Sequence, residues 1–127
     1  MAVDLLRMSV RCDEQAPSAV REALSRIDEL EGIVPDVMLI ASELVSNAVM
    51  HSACTSEDLL EIRVTRDGRV RLCVIDPGGH TEAKLADRPM GLGGLGLKIV
   101  DELADNWGSR LDGESHEVWA ELRLPTA

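Results

Sequence analysis

Apolar and polar residues alternate loosely from Val3 to Arg11, with Leu6, Met8 and Val10 on one side, and this period of two predicts an edge strand. After Pro17-Ser18 the period changes. Val20, Ala23, Leu24, Ile27 and Leu30 recur at steps of three and four, predicting a helix to about Glu31 that Gly32 ends. A second helix is predicted from about Asp36 to His51, because Pro35 suits a first turn and Asp36 complements the helix dipole. Alternation returns in LLEIRVTRDGRVRLCVID, where Leu60, Ile62 and Val64, then Val70, Leu72 and Val74, flank an Asp67-Gly68 turn. No period runs between His80 and Met90, which reads as a loop. A third helix is predicted in LKIVDELADNW, with Leu97, Val100, Leu103 and Ala104 on one face. Two strands close the chain around Asp112-Gly113, from Trp107 to Leu111 and from Glu117 to Leu124. In the last, Val118, Ala120, Leu122 and Leu124 alternate with Trp119, Glu121 and Arg123.

This order predicts an α+β two-layer sandwich, with helices on one face of a mixed or antiparallel sheet. Its 127 residues suit one domain, and no linker or repeat divides them, so residues 1–127 are read as a single unit. Two Trp and no Phe or Tyr mean an aliphatic core and no aromatic platform for single-stranded nucleic acid. A net charge of −10 repels phosphate backbones, so direct nucleic-acid binding is not expected. An anionic ligand would need local donors such as backbone N–H groups and helix N-termini. Cys12, Cys54 and Cys73 lie far apart with no CxxC pair, which supports neither a zinc ribbon nor a redox motif, and Cys73 reads as a core residue. No signal-peptide run or membrane-length span appears, so the expected location is cytoplasmic, away from membranes.

Three places break the apolar pattern with residues that carry chemistry. In SELVSNAVMHS, Glu43, Asn47 and His51 recur at steps of four, which stacks them on one helical face. The core face reads as Val37, Ala41, Leu44, Val45 and Ala48, with Leu39, Ile40 and Met50 interspersed on the polar side. Three large apolar residues suit a face that something partly covers. Glu and Asn are oxygen donors suited to Mg²⁺ beside phosphate and water, and a glutamate there can take a proton from an attacking hydroxyl. The other reading is an ordinary polar face ending in a histidine near the negative end of the dipole.

Gly91-Leu-Gly93-Gly94-Leu-Gly96 stands ahead of the third helix. Glycines there turn backbone N–H groups toward an anion, and the helix N-terminus adds positive charge, which makes a phosphate cradle; alone, the string reads equally as a flexible loop. It also fits G-x-G-x-x-G, but a dinucleotide-binding site requires a strand directly before it, and an irregular segment stands there instead. No G-K-[ST] follows, which excludes a Walker-type loop. Asp76 ends the second hairpin strand before Pro77-Gly78-Gly79. It is either a turn residue or a carboxylate placed to accept a hydrogen bond from a ligand such as the exocyclic amine of adenine.

Taken together, ELVSNAVMHS, VIDPGG and GLGLKIVDELADNWG, in this order, resemble the three nucleotide-binding boxes of the GHKL ATPase/kinase superfamily. The short length, the N-A-x-x-H-S ending and the small lid resemble bacterial anti-sigma-factor serine kinases, and more narrowly the stand-alone ATP-binding regulators of actinobacteria. The resemblance covers nearly the whole chain, from the first helix to the V-W-A-E-L strand. It implies the Bergerat fold, a two-layer α/β sandwich with helices on one face of a mixed sheet, with ATP and Mg²⁺ as ligands. Asn47 is implied as the Mg²⁺ ligand, Glu43 as the general base, and His51 as a lining or phosphate-proximal residue. Asp76 is implied to bind the adenine amine beside Gly78. Gly94, Leu95 and Gly96 would hold phosphate at the helix they open, with Gly91 and Gly93 in the lid before them.

Two positions depart from the family pattern. His80 stands where a second glycine is usual, and SHEV, from Ser115 to Val118, replaces a threonine near the adenine, with Ser115 as the substitute hydroxyl. The implied activity is a serine/threonine protein kinase that phosphorylates a STAS-type anti-anti-sigma partner and otherwise sequesters a sigma factor, with homodimerisation possible. The alternative is an ATP-binding or nucleotide-independent interaction module without catalysis, which would need Asn47 and the glycines but no Glu43. A histidine-kinase fragment fits less well, since the chain has no room for a dimerisation helix pair bearing a phosphoacceptor histidine.

Overall fold

The computed structural model describes residues 2–51, 54–77, 95–113 and 115–124. Along the chain come β1 (Val3–Arg11), α1 (Ala16–Leu24), a 3-10 turn (Asp28–Leu30), α2 (Val34–His51), β2 (Leu59–Arg66), β3 (Arg69–Asp76), α3 (Leu95–Leu103), β4 (Asn106–Asp112) and β5 (Ser115–Arg123). The strands form one sheet in the order β1-β2-β3-β5-β4, antiparallel at every described pairing. β1 is an edge, as its sequence predicts. β3 and β4 both pair with β5 and therefore run in the same direction, which is why a segment containing a helix joins them rather than a tight turn.

One face of the sheet is apolar and carries the helices. Leu60, Ile62 and Val64 of β2 meet Val70, Leu72 and Val74 of β3 beneath Val20 and Leu24 of α1, Val37, Leu44 and Val45 of α2, and Val100 of α3. Each such aliphatic side chain contributes about 1.5–3 kcal/mol on full burial. The other face is charged: Glu61 pairs with Arg7 and Arg63, Arg71 with Glu121, and Arg110 with Glu117. Such surface pairs contribute about 0–1 kcal/mol each, so the helix-facing side holds the fold.

The hairpin turn falls at Asp67-Gly68 as expected, with Gly68 at φ 74°, a conformation L side chains rarely adopt. Elsewhere the boundaries move. α1 ends at Leu24 rather than near Glu31, because Arg26 and Ile27 donate to the carbonyls three residues back and the chain tightens into the 3-10 turn. Ile27 and Leu30 still reach the core, since a step of three serves either geometry. α3 stops at Leu103, so the expected helix over ADNW is not helical. The Ala104 N–H still bonds back to Val100, but the Asp105 N–H bonds across to Glu121 and starts β4.

Two apolar positions also differ. Ile40 is fully buried instead of lying on the polar side. α2 contacts α1, α3 and β3, so its buried arc is wider than a single stripe. Leu39 and Met50 do stay exposed, at 43% and 73%. Cys73 is buried, but on the charged face opposite Trp119 rather than in the main core. Burial raises its thiol pKa, opposed by a hydrogen bond with Arg71. Cys12 and Cys54, which spacing alone did not pair, are joined by a disulfide.

Candidate functional site

The central helix brings the first group of residues. Glu43 and Asn47 lie half-buried on α2, one turn apart, and Ser42 of the same helix accepts from Arg21 of α1 at 3.1 Å. The Asn47 amide nitrogen is buried and has no hydrogen-bond partner among the described residues. A buried amide left in this way costs about 1–3 kcal/mol and marks a side chain suited to a polar ligand. An amide presents an oxygen to a cation and an N–H₂ to an anion, which matches a metal ion carried on phosphate. No group of three or more His, Cys, Asp or Glu gathers at a point among the described residues. A divalent cation at Asn47 would therefore complete its shell with phosphate oxygens and water, as Mg²⁺ commonly does. His51 is the last residue of α2, and its side chain lies outside the described part.

The second group sits at the far end of the central strands. Positions 70, 72 and 74 of β3 point into the core, so the next inward position on the same row is Asp76. It is 3% exposed. A carboxylate this deep needs a donor, and His116 supplies one: its Nδ1 lies 3.1 Å from Asp76 Oδ2. The two are register partners across β3 and β5, and His116 is itself 6% exposed. Ser115, expected to take the place of the missing threonine, pairs instead with Asp112. One residue along a strand turns its side chain to the opposite face from His116, so the residue brought to Asp76 is the histidine. The sequence carried a signal for this, since His116 continues the inward row of Val118, Ala120 and Leu122.

The third group is the start of α3. The helix begins at Leu95, within the glycine run, with Gly96 in its first turn. Gly78, His80, Gly91, Gly93 and Gly94, and the lid between them, lie outside the described residues. α2 packs against both β3 and α3. The helix bearing Glu43 and Asn47 is thus the direct neighbour of the strand that ends in Asp76 and of the helix that the glycines open.

This arrangement belongs to a class of nucleotide-binding domains, and comparison with known proteins identifies the family. The profile of histidine kinase-, DNA gyrase B- and HSP90-like ATPases matches residues 32–126, and the chain belongs to that family. No curated protein matches the chain significantly. Among solved structures, that of the RsbU and RsbW domains of Rv1364c from Mycobacterium tuberculosis superposes with a TM-score of 0.64 at 23% identity, over 94% of this chain. This chain spans only 32% of the length of that one. The SiaB–SiaC complex from Pseudomonas aeruginosa gives 0.70 at 14% identity, over 94% of this chain and 89% of the other. The histidine kinase AdeS of Acinetobacter baumannii gives 0.53 at 16% identity, over 98% and 70%. These likenesses show the fold. Among the described residues, no helix is long and apolar enough to cross a membrane.

Proposed function

We propose that this chain is an ATP-dependent serine/threonine protein kinase of the anti-sigma type, acting on a STAS-type anti-anti-sigma protein and holding a sigma factor when that partner is not engaged. The ATPase family supports ATP as the ligand. The observation that carries the rest is the half-buried Glu43 one turn from the buried Asn47 amide, on the helix packed between α1 and α3. A protein that only bound nucleotide would need the amide but not the carboxylate. The likeness to a two-protein assembly, the SiaB–SiaC complex, supports a protein partner.

Phosphoryl transfer asks mainly for positioning and charge neutralisation. When bound, Mg²⁺ would neutralise phosphate charge. Asn47 would hold that ion through its amide oxygen. Asp76 would fix the base by accepting from its exocyclic amine, and the first N–H groups of α3 would bind phosphate oxygens. Glu43 would accept the proton of the partner's serine or threonine hydroxyl as its oxygen bonds to the γ-phosphorus and the bond to the ADP oxygen breaks.

Incubating the chain with γ-labelled ATP, Mg²⁺ and candidate STAS-type partners tests this directly. Label should move to a partner hydroxyl with the wild type, and Glu43→Ala should lose transfer by about 10²-fold or more while still binding ATP. Undiminished transfer by Glu43→Ala would remove it as the base. ATP binding with no transfer to any partner would leave an ATP-binding interaction module.

A further inference from the structure

We infer that the Cys12–Cys54 bridge is a reversible redox switch: closed, it tightens Mg²⁺–ATP binding by fixing the last turn of α2. The ligand half of this inference rests on the nucleotide reading above. Cys12 directly follows β1, and Cys54 stands three residues beyond His51, the last residue of α2. Cys12 belongs to the core, and both Ala48 and Cys54 pack against it. The Cys12 and Cys54 sulfurs lie 4.0 and 3.5 Å from the Ala48 carbonyl oxygen. Ala48 is the residue after Asn47, so the bridge closes on the helical turn that carries the proposed Mg²⁺ ligand.

The fold supports both states. The Cys12 N–H donates to the Asp58 carbonyl at 3.0 Å, and the Asp58 N–H to the Thr55 carbonyl at 2.9 Å. The Thr55 N–H donates to the Asp58 carboxylate at 2.8 Å. None of these bonds involves sulfur, so they keep the two cysteines adjacent, Cα atoms 6.2 Å apart, after reduction as well. What changes is the hold on α2. Closed, a covalent tether fixes Cys54 and with it the end of the helix. Open, two S–H groups face the Ala48 carbonyl, and these are weak donors that constrain the turn less. The chemistry starts at Cys54, which is half-buried, whereas Cys12 is 5% exposed. An oxygen of hydrogen peroxide bonds to the Cys54 sulfur as the O–O bond breaks, and one water leaves with the thiol proton. The Cys12 sulfur then displaces that oxygen, which leaves with the second thiol proton as another water. A dithiol reverses this: one of its sulfurs attacks Cys54 and frees the Cys12 thiol. Its other sulfur then frees the Cys54 thiol, and the reductant leaves as a disulfide.

The test compares the full chain after stoichiometric hydrogen peroxide and after a dithiol reductant, with thiols counted on unfolded samples. Cys73 is the free cysteine, so the closed form should show one thiol and the open form three. Calorimetry with ATP and Mg²⁺ should find the open form weaker by roughly 5-fold or more, the lower end of ordinary coupling between sites. Amide exchange in the last turn of α2 should be faster in the open form. Cys12→Ser/Cys54→Ser, its folding verified by circular dichroism, should bind like the open form after either treatment. In Asn47→Ala the difference in ATP affinity between the two states should vanish, which a general loosening of the fold would not produce. Equal Mg²⁺–ATP affinities of closed and open wild type would overturn the switch, and this comparison decides even if the cysteine variant does not fold. Three thiols after peroxide would overturn it too. A full redox difference in Asn47→Ala would overturn the route through α2. Absence of ATP binding in both states would instead overturn the nucleotide reading, and the coupling with it.

Discussion

The Asn47 amide nitrogen is buried on α2 and meets no acceptor among the described residues. Natural cores seldom keep such a group without a use. Because Asn47 is half-buried rather than enclosed, Asn47→Ala should cost the fold less than about 1 kcal/mol, and removal of an unpaired polar group offsets part of that. Its effect on ligand should be large: the Mg²⁺-dependent part of ATP affinity should vanish while the melting temperature barely moves. Calorimetry with and without Mg²⁺ on the variant checks this, and an unchanged Mg²⁺ dependence would place the ion elsewhere. Residue identity made Glu43, Asn47 and Asp76 legible as candidates in the sequence, because each is a polar group in an otherwise apolar row. His116 stands in such a row too, but only strand register shows that it lies across from Asp76.

At the scale of elements, alternation located all five described strands and helical spacing the three described helices, while the ends were set by bonds that spacing does not encode. The clearest case is the exit from α3, where neighbouring N–H groups choose different partners: Ala104 bonds within the helix and Asp105 bonds to the sheet. The Asp105 carboxylate then accepts from the Arg123 N–H at 2.7 Å, fixing the start of β4 against β5. The disulfide was likewise hidden, since Cys12 and Cys54 are 42 residues apart and meet only once β1 has paired with β2. It ties the segment after β1 to the segment after α2, the helix of Glu43 and Asn47. Closing a loop of that length stabilises by about 2–4 kcal/mol in the chain-entropy account. Urea unfolding of the oxidised chain should therefore show a midpoint well above that of Cys12→Ser/Cys54→Ser, and reductant should bring the two together. Equal midpoints without reductant would show that the bridge adds nothing.

Over the whole molecule, charge and burial divide the work. The sheet turns ion pairs outward, with Arg71 stacked 4.3 Å over the Trp119 ring, and the helices cover its apolar side. With a net charge of −10, the chain as a whole opposes an approaching nucleotide, so binding must come from local donors and a counter-ion. That makes the metal dependence of ATP binding the most direct measurement of the account. Calorimetric titration of ATP into the purified chain should show micromolar affinity, about −8 kcal/mol, with Mg²⁺, and much weaker binding when Mg²⁺ is chelated. Binding of equal strength in both conditions would contradict the role of Asn47, and no binding in either would contradict the nucleotide site itself.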